Sequence, residues 1–333
     1  MSSDLDTYKQ NRINENTAIF NTSVSRLYSA VVSNIRSVQR SRQNPNLKQR
    51  QINSLINQYY ANVNNLKSNL DKSIISIKNY VAKTITINKN KKALLIGINY
   101  TGTSNELYGC INDTNSIKER ITNKGFTDIT VLTDLTTKKA TKANILDEFK
   151  KLLINSQAGD LLFLLYSGHG SYDIDRNGDE KTGYDQLIVP CDFKMILDDD
   201  LKTIIQQYLK PNVTLFGMFD SCFSGSVLDL RYQYMDSLNY DKFTENIKQL
   251  ETKGDVFMIS GCSDYQTSAD AFINNKATGA MTWSLLEALN QTPNCNWREL
   301  VINMRNLLKT SQFTQVPQFS CGTFENIDTK VFI

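Results

Sequence analysis

The chain holds 333 residues, 40% hydrophobic and 10% aromatic, the composition of a soluble globular protein with room for more than one domain. No apolar run comes near the 18 residues that a membrane span requires, and the N-terminus lacks the apolar core of a signal peptide. The expected location is therefore intracellular, by default the cytoplasm. The net charge of +3 is unevenly divided: residues 1–92 carry 15 Lys/Arg against 4 Asp/Glu, and the remainder 22 against 30. This asymmetry predicts two modules with different electrostatic tasks.

Residues 1–90 contain almost no Gly or Pro and are rich in Asn, Ser, Gln, Lys and Arg. Phe20, Val24, Leu27, Val31, Ile35 and Val38 recur at spacings of three and four. After a break at 40–46 the pattern resumes with Ile52, Leu55, Ile56, Tyr59, Val63, Leu66 and Leu70. One apolar stripe on each of two helices predicts an antiparallel α-helical hairpin. It cannot bury both stripes fully unless it docks on the second module or on a partner. The basic excess suits nucleic acid or an anionic membrane surface, while its scattered charges equally suit a solvated face. Residues 78–92 read as a basic linker with a short extended segment.

From Lys92 the pattern changes. Strands are predicted at Ala93–Ile98, Ile129–Leu132, Leu161–Tyr166, Val213–Phe219 and Val256–Ser260, with a last one in Val316–Cys321. Helices are predicted at Asp113–Thr122, Lys142–Ile154, Leu201–Leu209, 280–290 and 297–310. A polar excursion (171–200) and a charged segment (229–254) interrupt the series. Such alternation predicts an α/β fold with a mostly parallel sheet and helices on both faces.

Two of these strands end in chemically suggestive turns. Leu161–Tyr166 runs into S-G-H-G, which holds His169, the one histidine of the chain. Val213–Phe219 runs into D-S-C-F-S-G, which holds Cys222. Side chains just past the carboxyl ends of such strands are where open α/β folds keep their catalytic groups. An ordinary thiol is only a few per cent thiolate at neutral pH, so it needs an adjacent base, and His169 is the one imidazole available. As base it would take the thiol proton, and as acid it would protonate the leaving amine. The six cysteines (110, 191, 222, 262, 295, 321) show no CxxC spacing, and with one histidine this argues against zinc. The alternative is a structural cysteine and a capping histidine. A histidine about 50 residues upstream of the cysteine is the caspase arrangement, although the caspase signature around the cysteine is absent.

Y-S-G-H-G, D-S-C-F-S-G, G-C-I-N-D (109–113) and S-G-C-S-D-Y-Q-T-S-A-D (260–270) together resemble a metacaspase, a caspase-fold cysteine peptidase. The resemblance covers roughly residues 92–325. It implies a caspase-like three-layer sandwich at 91–333, with a large-subunit-like part (91–230) and a small-subunit-like part (254–333), behind the basic hairpin and linker of 1–90. By the same resemblance the N–H groups of Gly170 and Cys222 are the oxyanion donors. Asp113, Asp220, Cys110 and Ser167 line the pocket for the residue before the scissile bond. Two carboxylates there prefer Lys or Arg and reject Asp by like charge. Asp113 could instead cap a helix. Phe223 departs from the family, which commonly has histidine after the nucleophile. The N-terminal 90 residues resemble neither its Pro-rich nor its zinc-finger prodomains.

Residues 173–185 nearly fit an EF-hand loop through Asp173, Asp175, Asn177 and Gly178, but Tyr184 stands where Glu is required, so a true EF-hand is rejected. The resemblance implies a different calcium site, formed by Asp185, Asp198, Asp199 and Asp229. Oxygen-only ligation suits hard Ca²⁺; the alternative is an exposed acidic loop. The expected protein is a monomeric, Ca²⁺-activated zymogen of a Lys/Arg-directed cysteine endopeptidase. It could cut itself at Lys83, Lys89, Lys91 or Lys92, or at Arg231, Lys242, Lys248 or Lys253. The competing expectation is a catalytically silent caspase-fold scaffold that binds partners through the hairpin.

Overall fold

A computed structural model of the chain describes residues 2–80, 87, 89–175, 183–222, 224–234, 243–246, 248–261, 270–273, 276–324, 327 and 330–333. Two compact units emerge, Met1–Ala82 and Lys83–Ile333.

The first unit is a pair of long helices, α1 (Ser2–Arg40) and α2 (Pro45–Lys78). Asn44 caps α2 by accepting the Asn46 N–H at 2.9 Å, and Pro45 occupies the first turn, where its missing N–H costs nothing. The helices run antiparallel: Lys9 Nζ donates to the carbonyl of Lys78 at 2.9 Å, and Tyr8 packs on Tyr80 with ring centroids 5.1 Å apart. Every stripe residue named above is half-buried and none is fully buried. A two-helix layer can cover only one side of each stripe. Among the described residues, no helix is long and apolar enough to cross a membrane.

The second unit contains, in chain order, β1 (Lys91–Gly97), α3 (Cys110–Thr122), β2 (Asp128–Thr133), α4 (Lys142–Ile154), β3 (Leu161–Ser167), β4 (Gly170–Ile174), β5 (Tyr184–Ile188) and β6 (Ile196–Leu197). It continues with α5 (Asp198–Tyr208), β7 (Thr214–Asp220), β8 (Tyr232–Tyr234), β9 (Phe243–Glu245), β10 (Asp255–Ser260), β11 (Asp270–Ile273) and β12 (Lys276–Gly279). The last elements are α6 (Ala280–Gln291), α7 (Trp297–Thr310) and β13 (Gln318–Cys321).

Among the described residues, eight strands form the main sheet in the order β2-β1-β3-β7-β10-β13-β8-β9. The first five are mutually parallel, and the last three pair antiparallel. Alternate side chains serve opposite faces. Leu94, Ile96, Leu162, Leu164, Leu215 and Met258 share one core with Ile145, Phe149 and Leu153 of α4 and Leu201 and Ile205 of α5. On the other face Phe163 meets Phe216 at 5.2 Å, and Phe216 and Phe257 meet Trp297 of α7 at 5.1 and 5.4 Å. Each fully buried ring contributes roughly 2–3 kcal/mol. Because both faces are covered, β3, β7 and β10 read as unbroken apolar runs. This is the three-layer arrangement the sequence predicts.

Four local expectations change. Lys91 and Lys92 belong to β1, not to a linker; their ammonium groups reach the carbonyls of Lys124 and Asn155, each at 2.7 Å. The polar excursion supplies a small sheet, β4-β5-β6. Helix α5 starts at Asp198, with three aspartates in its first turn where the helix dipole favours negative charge. The charged segment 229–254 contains β8 and β9, which complete the sheet beyond β13. Of the candidate cleavage residues, Lys89, Lys248 and Lys253 are exposed. Arg231 is 9% exposed and bound to Glu245 at 2.7 Å and the Gln249 carbonyl at 3.1 Å. Lys83 and Lys242, like Asn177, Gly178, Phe223 and Cys262, lie outside the described residues.

Candidate active site

The parallel strands run in the order β2-β1-β3-β7-β10, so the chain leaves β1 toward one side and returns as β3 on the other. The crevice at the carboxyl ends of β1 and β3 is the topological switch point, where this class of sheet places ligands. Ser167 and Asp220 are the last paired residues of β3 and β7, and the Gly168 N–H donates to the Asp220 carbonyl at 3.3 Å. His169 and Cys222 each follow two residues later. Gly170 is packed directly onto the Cys222 turn: a side-chain carbon there would lie 2.1 Å from the Cys222 carbonyl oxygen. Both His169 and Cys222 are half-buried, and Cys222 is not disulfide-bonded. The two strand ends thus bring the turns that carry His169 and Cys222 into contact.

His169 Nε2 lies 2.8 Å from the backbone carbonyl of Asn105. A carbonyl only accepts, so this bond requires the proton on Nε2 and leaves the lone pair on Nδ1. That tautomer is able to take a proton from a thiol. Asn105 is absent from the sequence expectations, because a backbone carbonyl carries no residue-type signature.

The acidic pair lies at the same strand ends. Asp113 is not a helix cap: Gly109 holds that position, and Asp113 lies within the first turn of α3. Its carboxylate accepts from Ser167 Oγ at 2.9 Å, Thr278 Oγ1 at 2.6 Å and the Gly279 N–H at 3.0 Å. Asp220 accepts from the Thr282 N–H at 2.9 Å and its hydroxyl at 2.8 Å, at the start of α6. Exposure is 0% for Asp113 and 5% for Asp220. Gly279 sits between them, where an added carbon would meet Asp220 Oδ2 at 2.1 Å and Asp113 Oδ2 at 2.8 Å. Cys110, also buried, opens α3 one turn before Thr114, whose hydroxyl donates to its carbonyl at 3.0 Å. Thr278, Gly279 and Thr282 are the partners that sequence reasoning missed.

Burial, and then the charge of Asp220, push Asp113 up to about 7. The native state therefore holds this proton more tightly than the unfolded chain, whose carboxyl titrates at about 4. The resulting stability is complete below that range and is lost as pH rises through about 7. Asp113→Asn should flatten the decline in Tm between about pH 5 and 8, measured by calorimetry with a chelator present. Equal declines in both proteins would refute the assignment.

A second acidic group forms around the first turn of α5. Single carboxylate oxygens of Asp198, Asp199 and Asp229 lie within 4.8 Å of one another. Calcium–oxygen bonds of about 2.4 Å would place donors across the ion at this separation, so the three residues fit such a cation. Asp185 is outside this trio but close enough to add to the electrostatic pressure on Asp198, which burial and Asp229 chiefly push up to about 8. Asp198 also accepts the Gln186 N–H at 2.6 Å. Lys202 places its ammonium 3.5 Å from Asp229 and 3.8 Å from Asp199.

Residues 91–231 match a family model described as the metacaspase, peptidase C14 domain. Metacaspase-1 of Scheffersomyces stipitis is 37% identical over 285 residues, covering 70% of this chain and 70% of that protein. Metacaspase-1 of Kluyveromyces lactis is 39% identical over 295 residues, covering 72% and 67%. The chain belongs to the metacaspase family. Its membership makes it a cysteine endopeptidase acting on proteins. Metacaspase-1A of Neurospora crassa is 38% identical, covering 72% of this chain and 64% of that protein. A solved protein of Geobacter sulfurreducens shares the fold, with a TM-score of 0.55 at 24% identity, covering 73% of this metacaspase and 98% of its own chain.

Proposed function

We propose that this metacaspase is a calcium-activated endopeptidase that cleaves after Lys or Arg, with Cys222 as nucleophile and His169 as base. The observation that carries the specificity is the pair Asp113 and Asp220, buried at the ends of α3 and β7 beside the Cys222 turn. A substrate ammonium or guanidinium relieves their mutual repulsion, whereas a substrate carboxylate adds a third like charge. Ser167 and Cys110 complete the wall. His169 takes the thiol proton at Nδ1, the thiolate attacks the carbonyl carbon, and the N–H groups of Gly170 and Cys222 receive the developing oxyanion. The imidazolium then returns its proton to the leaving amine.

Asp198, Asp199 and Asp229 would hold the calcium ion, with Asp185 beside them. Bound there, the ion supplies the positive charge that Lys202 now supplies in part. Each half of the dyad connects to this cluster. Asp229 follows the Cys222 turn, where its N–H donates to the Ser226 carbonyl at 2.6 Å. Asp198 holds Gln186 of β5, which pairs with β4, and β4 begins at Gly170. Ordering the cluster therefore orders both turns. The test measures cleavage of matched Arg and Asp peptides with calcium and with chelator. Arg cleavage should fall at least about tenfold on chelation and exceed Asp cleavage by about a hundredfold or more. Cleavage after Asp would overturn the specificity, and indifference to chelation would overturn the calcium requirement.

A further inference from the structure

The loop after β1 is built as a rigid unit. The Leu107 N–H closes it onto the Asn99 carbonyl at 2.7 Å, and Thr103 bonds the Tyr100 carbonyl through both its N–H, at 3.1 Å, and its hydroxyl, at 2.8 Å. The Asp134 carboxylate accepts the N–H groups of Asn99, at 3.0 Å, and of Thr101, at 2.9 Å, one on each side of Tyr100. Between those two anchors Tyr100 adopts φ +52°. A bulky residue in this left-handed region is strained, and such strain persists only where its surroundings fix it.

The consequence of that conformation is an inward tyrosine, 2% exposed. Its hydroxyl accepts the backbone N–H of His169 at 2.8 Å and donates to the Val189 carbonyl at 2.6 Å. Its ring lies against the imidazole, with centroids 4.6 Å apart and planes 36° apart. From the adjacent strand, the Tyr166 hydroxyl lies 2.7 Å from the His169 carbonyl. Gly168 makes room for both phenols, since a side-chain carbon there would fall 2.8 and 2.9 Å from the two hydroxyl oxygens. Together with the Asn105 carbonyl on Nε2, His169 is held at its N–H, its carbonyl, its ring face and its Nε2. Residues 99–107 provide three of these four restraints. Packing alone does not require this arrangement: phenylalanine would fill the same volume without the cost of burying a hydroxyl.

We infer that Tyr100 is a positioning residue for the base, fixing the plane of the His169 imidazole and its approach to Cys222. This rests on the reading of His169 as the catalytic base. Two consequences separate a positioning role from a merely structural one. First, Tyr100→Phe keeps the ring but loses the hydroxyl bonds, so kcat should fall about 10–100-fold while KM stays within about twofold. Second, the chain has a single histidine, so the imidazole C–H signals in NMR report on His169 alone. In Tyr100→Leu the Cε1–H resonance should move toward the free-imidazole position.

Asp134→Asn loosens the same loop from outside the crevice and should give both changes at smaller size. If Tyr100→Phe fails to fold, as judged by circular dichroism, Asp134→Asn carries the test. Unchanged kcat and an unchanged His169 resonance in the folded variants, with His169→Ala inactive, would overturn the inference. Full activity of His169→Ala would instead overturn the assignment of the base, a separate failure visible in its own variant.

Discussion

Replacing Cys222 with alanine is expected to reduce hydrolysis of an Arg peptide to background while leaving the unfolding transition in place. Loss of a covalent nucleophile costs on the order of a millionfold in kcat when the remaining groups cannot substitute for it. Here the position is half-buried at the end of β7, and the surrounding fold is held by β3, β10 and the ring stack around Trp297. The measurement is peptide cleavage at saturating substrate and calcium, alongside a thermal melt. Activity above about one per cent of the unmodified enzyme would remove Cys222 from its role. The same variant serves as the control for self-cleavage, since any cut it suffers comes from another protease.

Gly170→Ala is expected to have the second-largest effect. The added carbon would stand 2.1 Å from the Cys222 carbonyl oxygen, with the Ser221 side chain 3.2 Å away. The obstructing atom is backbone, so no rotamer change relieves the collision. One of the two strand-end turns must move. A displacement on the order of an ångström between reacting groups costs about a hundredfold in rate. We expect kcat to fall by that order while iodoacetamide still alkylates Cys222, more slowly. A kcat within about threefold of the unmodified enzyme would show that the turns need not touch.

Much of this site was legible because its chemistry is marked by residue type at the ends of apolar strands. His169 and Cys222 each follow a run whose length and composition specify a buried strand, and parallel strands put their carboxyl ends together. The partners of His169 were hidden for a physical reason. Asn105 acts through its carbonyl, and Tyr100 acts because of a left-handed backbone set by Asp134, 34 residues downstream. Such long-range anchoring leaves no local pattern. Lys91 and Lys92 read as linker because charge dominates their composition, yet long side chains can lie along a strand and place their ends on distant carbonyls. Strands β8 and β9, three residues each, are too short for a period-two signal. The early turns of α1 lack an apolar stripe and are helical nonetheless, paired with α2 through Tyr8 and Lys9.

The placement of β8 and β9 has a mechanical meaning for any cut in the segment that follows Cys222. These strands come from the segment between Cys222 and β10, yet they lie at the far edge of the sheet, hydrogen-bonded to β13 near the C-terminus. The polypeptide therefore weaves across the sheet and back: β7, then β8 and β9 at the edge, then β10 beside β7 again. Breaking the chain after exposed Lys248 or Lys253 would sever a covalent connection that the sheet already duplicates through hydrogen bonds. Both pieces would stay interlaced, comigrating in native chromatography and parting only in denaturant. In this metacaspase a cut and a separation are different events.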